Sequence, residues 1–95
     1  MEFTLVQEGL TPLTETQMDA VVRAVDVFLM FGSHGGGPIR FDRLVEIMRG
    51  SGSWTGRQPT QLEIMAACCT LETRGNVRFD FIEGLLHVSR ATNRA

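Results

Sequence analysis

From Thr14 onward, apolar residues return at three- and four-residue intervals: Met18, Val21, Val22, Val25, Phe28 and Leu29, with Gln17, Asp19, Arg23 and Asp26 between them. That period puts one apolar face on a helix. Thr14 followed by Gln17 has capping-box spacing, in which hydroxyl and amide satisfy backbone donors at a helix start, so the first helix is expected to begin near Thr14. It should end near Phe31, because Gly32 and the run Gly35-Gly36-Gly37-Pro38 cannot sustain it. Asp42 can open a second helix carrying Leu44, Val45, Ile47 and Met48, closed by the Gly and Ser residues of 50–53. Pro59 suits the first turn of a third helix with Leu62, Ile64, Met65, Ala66, Cys68 and Cys69. A fourth helix is expected from Asp80, with Ile82, Leu85, Leu86 and Val88 facing inward. Residues 1–13 show no sustained period, and Thr11-Pro12 discourages helix, so they read as an arm; residues 91–95 read as a polar tail.

An internal repeat is the most specific signal along the chain. Gly37-Pro38-Ile39-Arg40-Phe41-Asp42 and Gly75-Asn76-Val77-Arg78-Phe79-Asp80 both read Gly-x-(Ile/Val)-Arg-Phe-Asp. Each copy lies between two expected helices, which makes two helix-loop-helix units. Ile39 with Phe41, and Val77 with Phe79, have the period-two alternation of a very short strand, so the two copies are expected to pair and join the units.

On these residues the stretch from Thr14 to about Val88 resembles a paired EF-hand lobe of the calmodulin and myosin light-chain family. Gly37 and Gly75 take the sixth loop position, Ile39 and Val77 the eighth; Leu13-Thr14-Glu15-Thr16-Gln17 and Gln58-Pro59-Thr60 resemble that family's helix starts. The resemblance implies an all-α fold: a single EF-hand-like lobe of four helices, with a minimal two-stranded antiparallel pairing between its loops. The lobe would span residues 14–90, the first hand about 14–50 and the second about 59–90.

Calcium needs oxygen ligands at loop positions one, three, five and twelve. In the implied frame the first loop offers Gly32, His34, Gly36 and Arg43, and the second Thr70, Glu72, Arg74 and Phe81. Only Glu72 could ligate, and Arg40 and Arg78 at position nine would repel a divalent ion. The expectation is therefore a lobe without a metal or other cofactor. Its implied function is that of a non-enzymatic, calcium-independent light chain that holds an amphipathic, IQ-like helix of a larger protein such as a myosin. The groove for that helix would draw on Met18, Val22, Phe28, Met48, Trp54, Met65, Leu85 and Leu86. A structural subunit of a cytoskeletal or axonemal assembly, and a calcium sensor, are the competing readings.

Composition adds exclusions. Ninety-five residues hold one domain. The net charge of -2 is unlike the basic footprint of a nucleic-acid binder. No apolar run approaches the roughly 18 residues that span a bilayer, so a cytoplasmic protein with no membrane partner is expected, and the resemblance implies association with the cytoskeleton. Cys68 and Cys69 are adjacent and cannot staple distant segments; they read as reduced, core-filling thiols. His34 and His87 stand apart from other metal-ligating residues. His34-Gly35-Gly36-Gly37 lacks the Gly-Lys-(Ser/Thr) of a phosphate loop, and no nucleophile and base, carboxylate pair or metal cluster suggests an enzyme.

Overall fold

A computed structural model describes residues 11–31, 37–50, 54 and 56–91. The elements are α1 (Glu15–Phe31), β1 (Ile39–Arg40), α2 (Phe41–Gly50), α3 (Gln61–Thr73), β2 (Val77–Ile82) and β3 (Leu85–Arg90). The expected all-α lobe of four helices is not what forms: three helices pack on a three-stranded antiparallel sheet of order β1-β3-β2.

The three helices follow from local chemistry. Thr14 N–H donates to Gln17 Oε1 at 2.9 Å and Gln17 N–H to Thr14 Oγ1 at 3.1 Å, the reciprocal bonds of a capping box. Thr60 and Glu63 build the same box at the start of α3, so that helix begins after Thr60 and Pro59 lies buried just ahead of it. At the end of α2, Trp54 Nε1 donates to the Met48 carbonyl at 2.8 Å, satisfying one of the acceptors a helix leaves open at its C-terminus.

The core joins Val21, Val22, Val25 and Leu29 of α1 to Phe41, Leu44 and Met48 of α2 and to Ile64, Ala67, Cys68 and Leu71 of α3. Val77 and Val88 close it from the sheet. The helices expected to start near Thr14, Asp42 and Pro59 are thus present with modest changes of boundary. The fourth is absent, and residues 77–90 fold as a hairpin.

The reason lies in a competition between two periods. Ile82, Leu85 and Leu86 have helical spacing, but Val77, Phe79 and Phe81 alternate, as do Leu86 and Val88, and Gly84 would weaken a helix by about 1 kcal/mol relative to Ala. Glu83 (φ 54°) and Gly84 (φ 80°) form the two-residue turn with left-handed backbone that suits a tight hairpin. The aromatic and β-branched residues then supply a sheet face packed on the helices.

The repeat also takes an unexpected form. Its copies do not pair with each other; both pair with β3, from opposite sides. Val88 stands opposite Ile39 and Phe79, and His87 opposite Arg40 and Asp80. At Phe41 the first copy already enters α2, whereas the second continues as strand through Ile82. The stretch from Thr70 to Phe81 consequently runs as the end of α3, a turn and a strand, so the second EF-hand loop does not form. Of the first, residues 32–36, with His34, lie outside the described residues, as do residues 1–10 of the arm and 92–95 of the tail. Residues 39–43 of that loop belong to β1 and α2.

Candidate interaction surfaces

α1 carries two apolar faces. One is the core face. The other runs through Ala20, Ala24, Val27 and Phe31, spaced four, three and four residues apart and so aligned along one side of the helix. Phe31 is 76% exposed and Val27 48%. Ala20, Ala24 and Val27 of this second stripe form one wall of a groove of about 550 Å³, completed by Leu13, Thr16, Gln17, Val21, Met48, Trp54, Arg57 and Pro59. Ala20 and Ala24 are small, so the floor lies close to the α1 backbone.

The far wall of the groove is held by a buried ion pair. Arg57 donates from both terminal nitrogens to the two Glu63 carboxylate oxygens, each at 2.7 Å. It also donates to the Thr11 carbonyl at 2.7 and 3.1 Å and to the Gln58 carbonyl at 3.1 Å. Glu63 is 1% exposed and accepts the Thr60 N–H at 2.9 Å. The Arg57 guanidinium, more than burial opposes it, holds the Glu63 carboxyl below its ordinary range. One arginine therefore ties the segment ahead of α1, the connector from α2 and the first turn of α3 into one frame.

A second, shallower cleft of about 370 Å³ lies between Phe41 of α2 and Gln61, Leu62 and Met65 of α3. The outer face of the sheet is polar: Arg40 bonds Asp42 at 2.9 Å, Arg78 bonds Asp80 at 3.2 Å, and His87 Nδ1 lies 2.9 Å from the Leu85 carbonyl. The hairpin end is apolar, with Phe81 75% exposed beside Ile82 and Leu85.

The eight groove residues named from sequence are dispersed. Met48 and Trp54 line the α1 groove; Met65 lines the other cleft; Val22 is in the core. Met18, Phe28 and Leu86 pack partly buried against it, and Leu85 is exposed on the hairpin. Sequence reasoning missed Ala20, Ala24, Val27 and Arg57. The second stripe was readable as a further i, i+4, i+7, i+11 series on α1, and Thr60-x-x-Glu63 as a capping box. Nothing local in the sequence points to Arg57, whose partner Thr11 lies 46 residues away.

Among the described residues no group of three His, Cys, Asp or Glu could hold a metal, and no helix is long and apolar enough to cross a membrane. No protein-family model, curated protein or solved structure matches the chain, and nothing in those comparisons ties it to the calmodulin and light-chain family.

Proposed function

We propose that this chain is a non-enzymatic protein-binding module that receives an amphipathic helix of a larger protein along the outer stripe of α1, independently of calcium. The carrying observation is that the groove and the stripe coincide. An apolar wall with a three- and four-residue repeat is the counterpart of another helix with the same repeat, which interlocks with it ridge into groove. From Thr16 to Val27 the wall runs about 17 Å at 1.5 Å per residue, room for about three turns of a partner.

The element order also invites a nucleic-acid reading, since a helix-turn-helix lays its second helix in the major groove. The charges favour protein instead. α3 carries Glu63 and Glu72 and no cation. Among the described residues, Arg40, Arg43, Arg57, Arg78 and Arg90 already pair with carboxylates of the chain. Phosphate binding would have to compete with those pairs. The myosin neck helix and a cytoskeletal setting were implied only by the paired-loop resemblance and draw no support from this fold; a cytoplasmic subunit bound to a helix of a larger protein is the reading retained.

The test is photo-crosslinking in the cells that make the protein, with a benzophenone side chain at Val27 and, as a control, at Glu72 on the outer side of α3. The expected result is a crosslink from Val27 to a peptide whose apolar residues recur at i, i+3 or i+4, and i+7, persisting in a calcium chelator. Equal capture from Glu72, or capture that needs calcium, would overturn the proposal.

A further inference from the structure

With strand order β1-β3-β2, one side of β2 faces β3 and the other is an edge with no strand or loop paired to it among the described residues. The direction of its backbone groups can be read from the ladder. Ala91 N–H donates to the Asn76 carbonyl at 2.9 Å, and Asn76 is the next residue of the β2–β3 register beyond Val77. Backbone groups alternate sides along a strand, so those of Arg78, Asp80 and Ile82 face β3 as well. The N–H and C=O groups of Val77, Phe79 and Phe81 therefore point outward from the edge.

The side chains of this edge are arranged so that it complements itself. Val77-Arg78-Phe79-Asp80-Phe81 reads apolar, positive, aromatic, negative, apolar. Reversed about Phe79, the pattern is unchanged except that the two charges exchange. An antiparallel neighbour of identical sequence, centred on Phe79, thus sets each Arg78 opposite an Asp80. The same register pairs the outward backbone groups of Phe79 with those of the other Phe79, and those of Val77 with those of Phe81. The Arg78 and Asp80 positions then become non-hydrogen-bonded pairs, where opposing side chains approach most closely. Arg78 is exposed and already reaches Asp80 on its own strand at 3.2 Å, so both groups stand on the solvent face where a neighbour's charges would meet them. The exposed ring of Phe81 comes to lie beside the other chain's Val77, at the sheet face that packs on the helices. A strand edge with these open groups is a template for another strand, and here charge and register select a second copy.

We infer that two copies of this chain associate through their β2 edges, antiparallel and in register at Phe79, forming one six-stranded sheet across a two-fold axis. This contact is on the sheet, away from the α1 groove, and stands independently of what that groove binds.

Charge exchange tests it. Sedimentation equilibrium over a concentration series is run on the wild type, on Arg78→Asp, on Asp80→Arg and on the double exchange Arg78→Asp/Asp80→Arg, with circular dichroism to confirm that each folds. The wild type is expected to dimerise. Each single variant sets like charges opposite each other and should weaken the dimer at least about tenfold. The double exchange restores opposite charges and should recover affinity to within about threefold of wild type. A wild type that stays monomeric at high concentration, single variants that dimerise unchanged, or a double variant no better than the singles would each overturn the inference. A variant that does not fold is replaced by Arg78→Gln or Asp80→Asn, which should weaken the dimer without repulsion, and an unchanged dimer there counts against it equally.

Discussion

Replacing Glu63 by Ala removes the centre of the frame that holds α3, the connector and the chain ahead of α1. Two charge-assisted bonds from Arg57 are lost, and the Thr60 N–H loses its acceptor. Removing one partner of a buried pair costs about 3–5 kcal/mol when the other charge stays buried. The Arg57 side chain is 25% exposed and keeps the Thr11 and Gln58 carbonyls, so water and those acceptors recover part of this, leaving about 2 kcal/mol. The broken capping box adds about 1 kcal/mol. The total of about 3 kcal/mol corresponds to a fall in melting temperature of about 12–24 °C for a domain of this size. Glu63→Gln keeps an acceptor for Thr60 and one for Arg57 while losing the charge, and should cost about 1–1.5 kcal/mol.

The assay is urea unfolding of the wild type, Glu63→Ala, Arg57→Ala and the double variant, followed by circular dichroism. The double-mutant cycle should give a coupling of about 1.5–2 kcal/mol. Because the Glu63 carboxyl is held below its ordinary range in the folded state, its contribution is fully present above the unfolded value and is lost as pH falls through the lowered one. Glu63→Gln should therefore be closest to wild type in acid and furthest from it at neutral pH. Additive single effects, or a Glu63→Ala cost below about 0.5 kcal/mol, the usual scale of a surface change, would refute the reasoning.

Three further changes probe the packing elsewhere. Cys68 is fully buried and burial pushes its thiol up to about 12, whereas Cys69 is exposed. A thiol reagent at neutral pH should label Cys69 promptly and Cys68 only when urea unfolds the chain; equal labelling of both in the native protein would contradict the packing of α3. Gly56 has φ 83°, and a Cβ there would meet Gln17 Nε2 at 3.0 Å. Gly56→Ala should cost about 1–2 kcal/mol in urea melts, with no change from Gly50→Ala beyond its helix effect. Leu44→Ala empties a fully buried position between the helices and should cost about 2–5 kcal/mol by the same measurement.

How much of this was legible in the sequence differs by element. α1, α2 and α3 arise from apolar periodicity and capping residues, both of which are local. Residues 77–90 carry two conflicting periods, and a helix begun at Asp80 splits the Val77-Phe79-Phe81 alternation in two. The repeat reinforced that error: similar residues in two copies suggested equivalent structure, yet the residues after each Phe decide between helix and strand. Both copies do form strands at their Ile/Val-Arg positions, but their common partner is β3, a segment the repeat does not include. The site was less legible still. Met48 and Trp54 were named through the groove that the resemblance implies, whereas Ala20 and Ala24 are too small to stand out. Arg57 gains its meaning only when folding brings Thr11 and Glu63 to it.

The central claim, that the outer stripe of α1 seats a partner helix, is tested most directly by a titration read through Trp54, the chain's single tryptophan and part of the groove wall. The segment crosslinked from Val27 is synthesised and added in a calcium chelator to the wild type and to Val27→Arg. Occupation of the groove should shift the Trp54 emission to the blue, and Val27→Arg, with its melting temperature intact, should weaken binding by about tenfold or more, about 1.4 kcal/mol. Binding that leaves Trp54 unchanged, or that Val27→Arg does not weaken, would contradict the account.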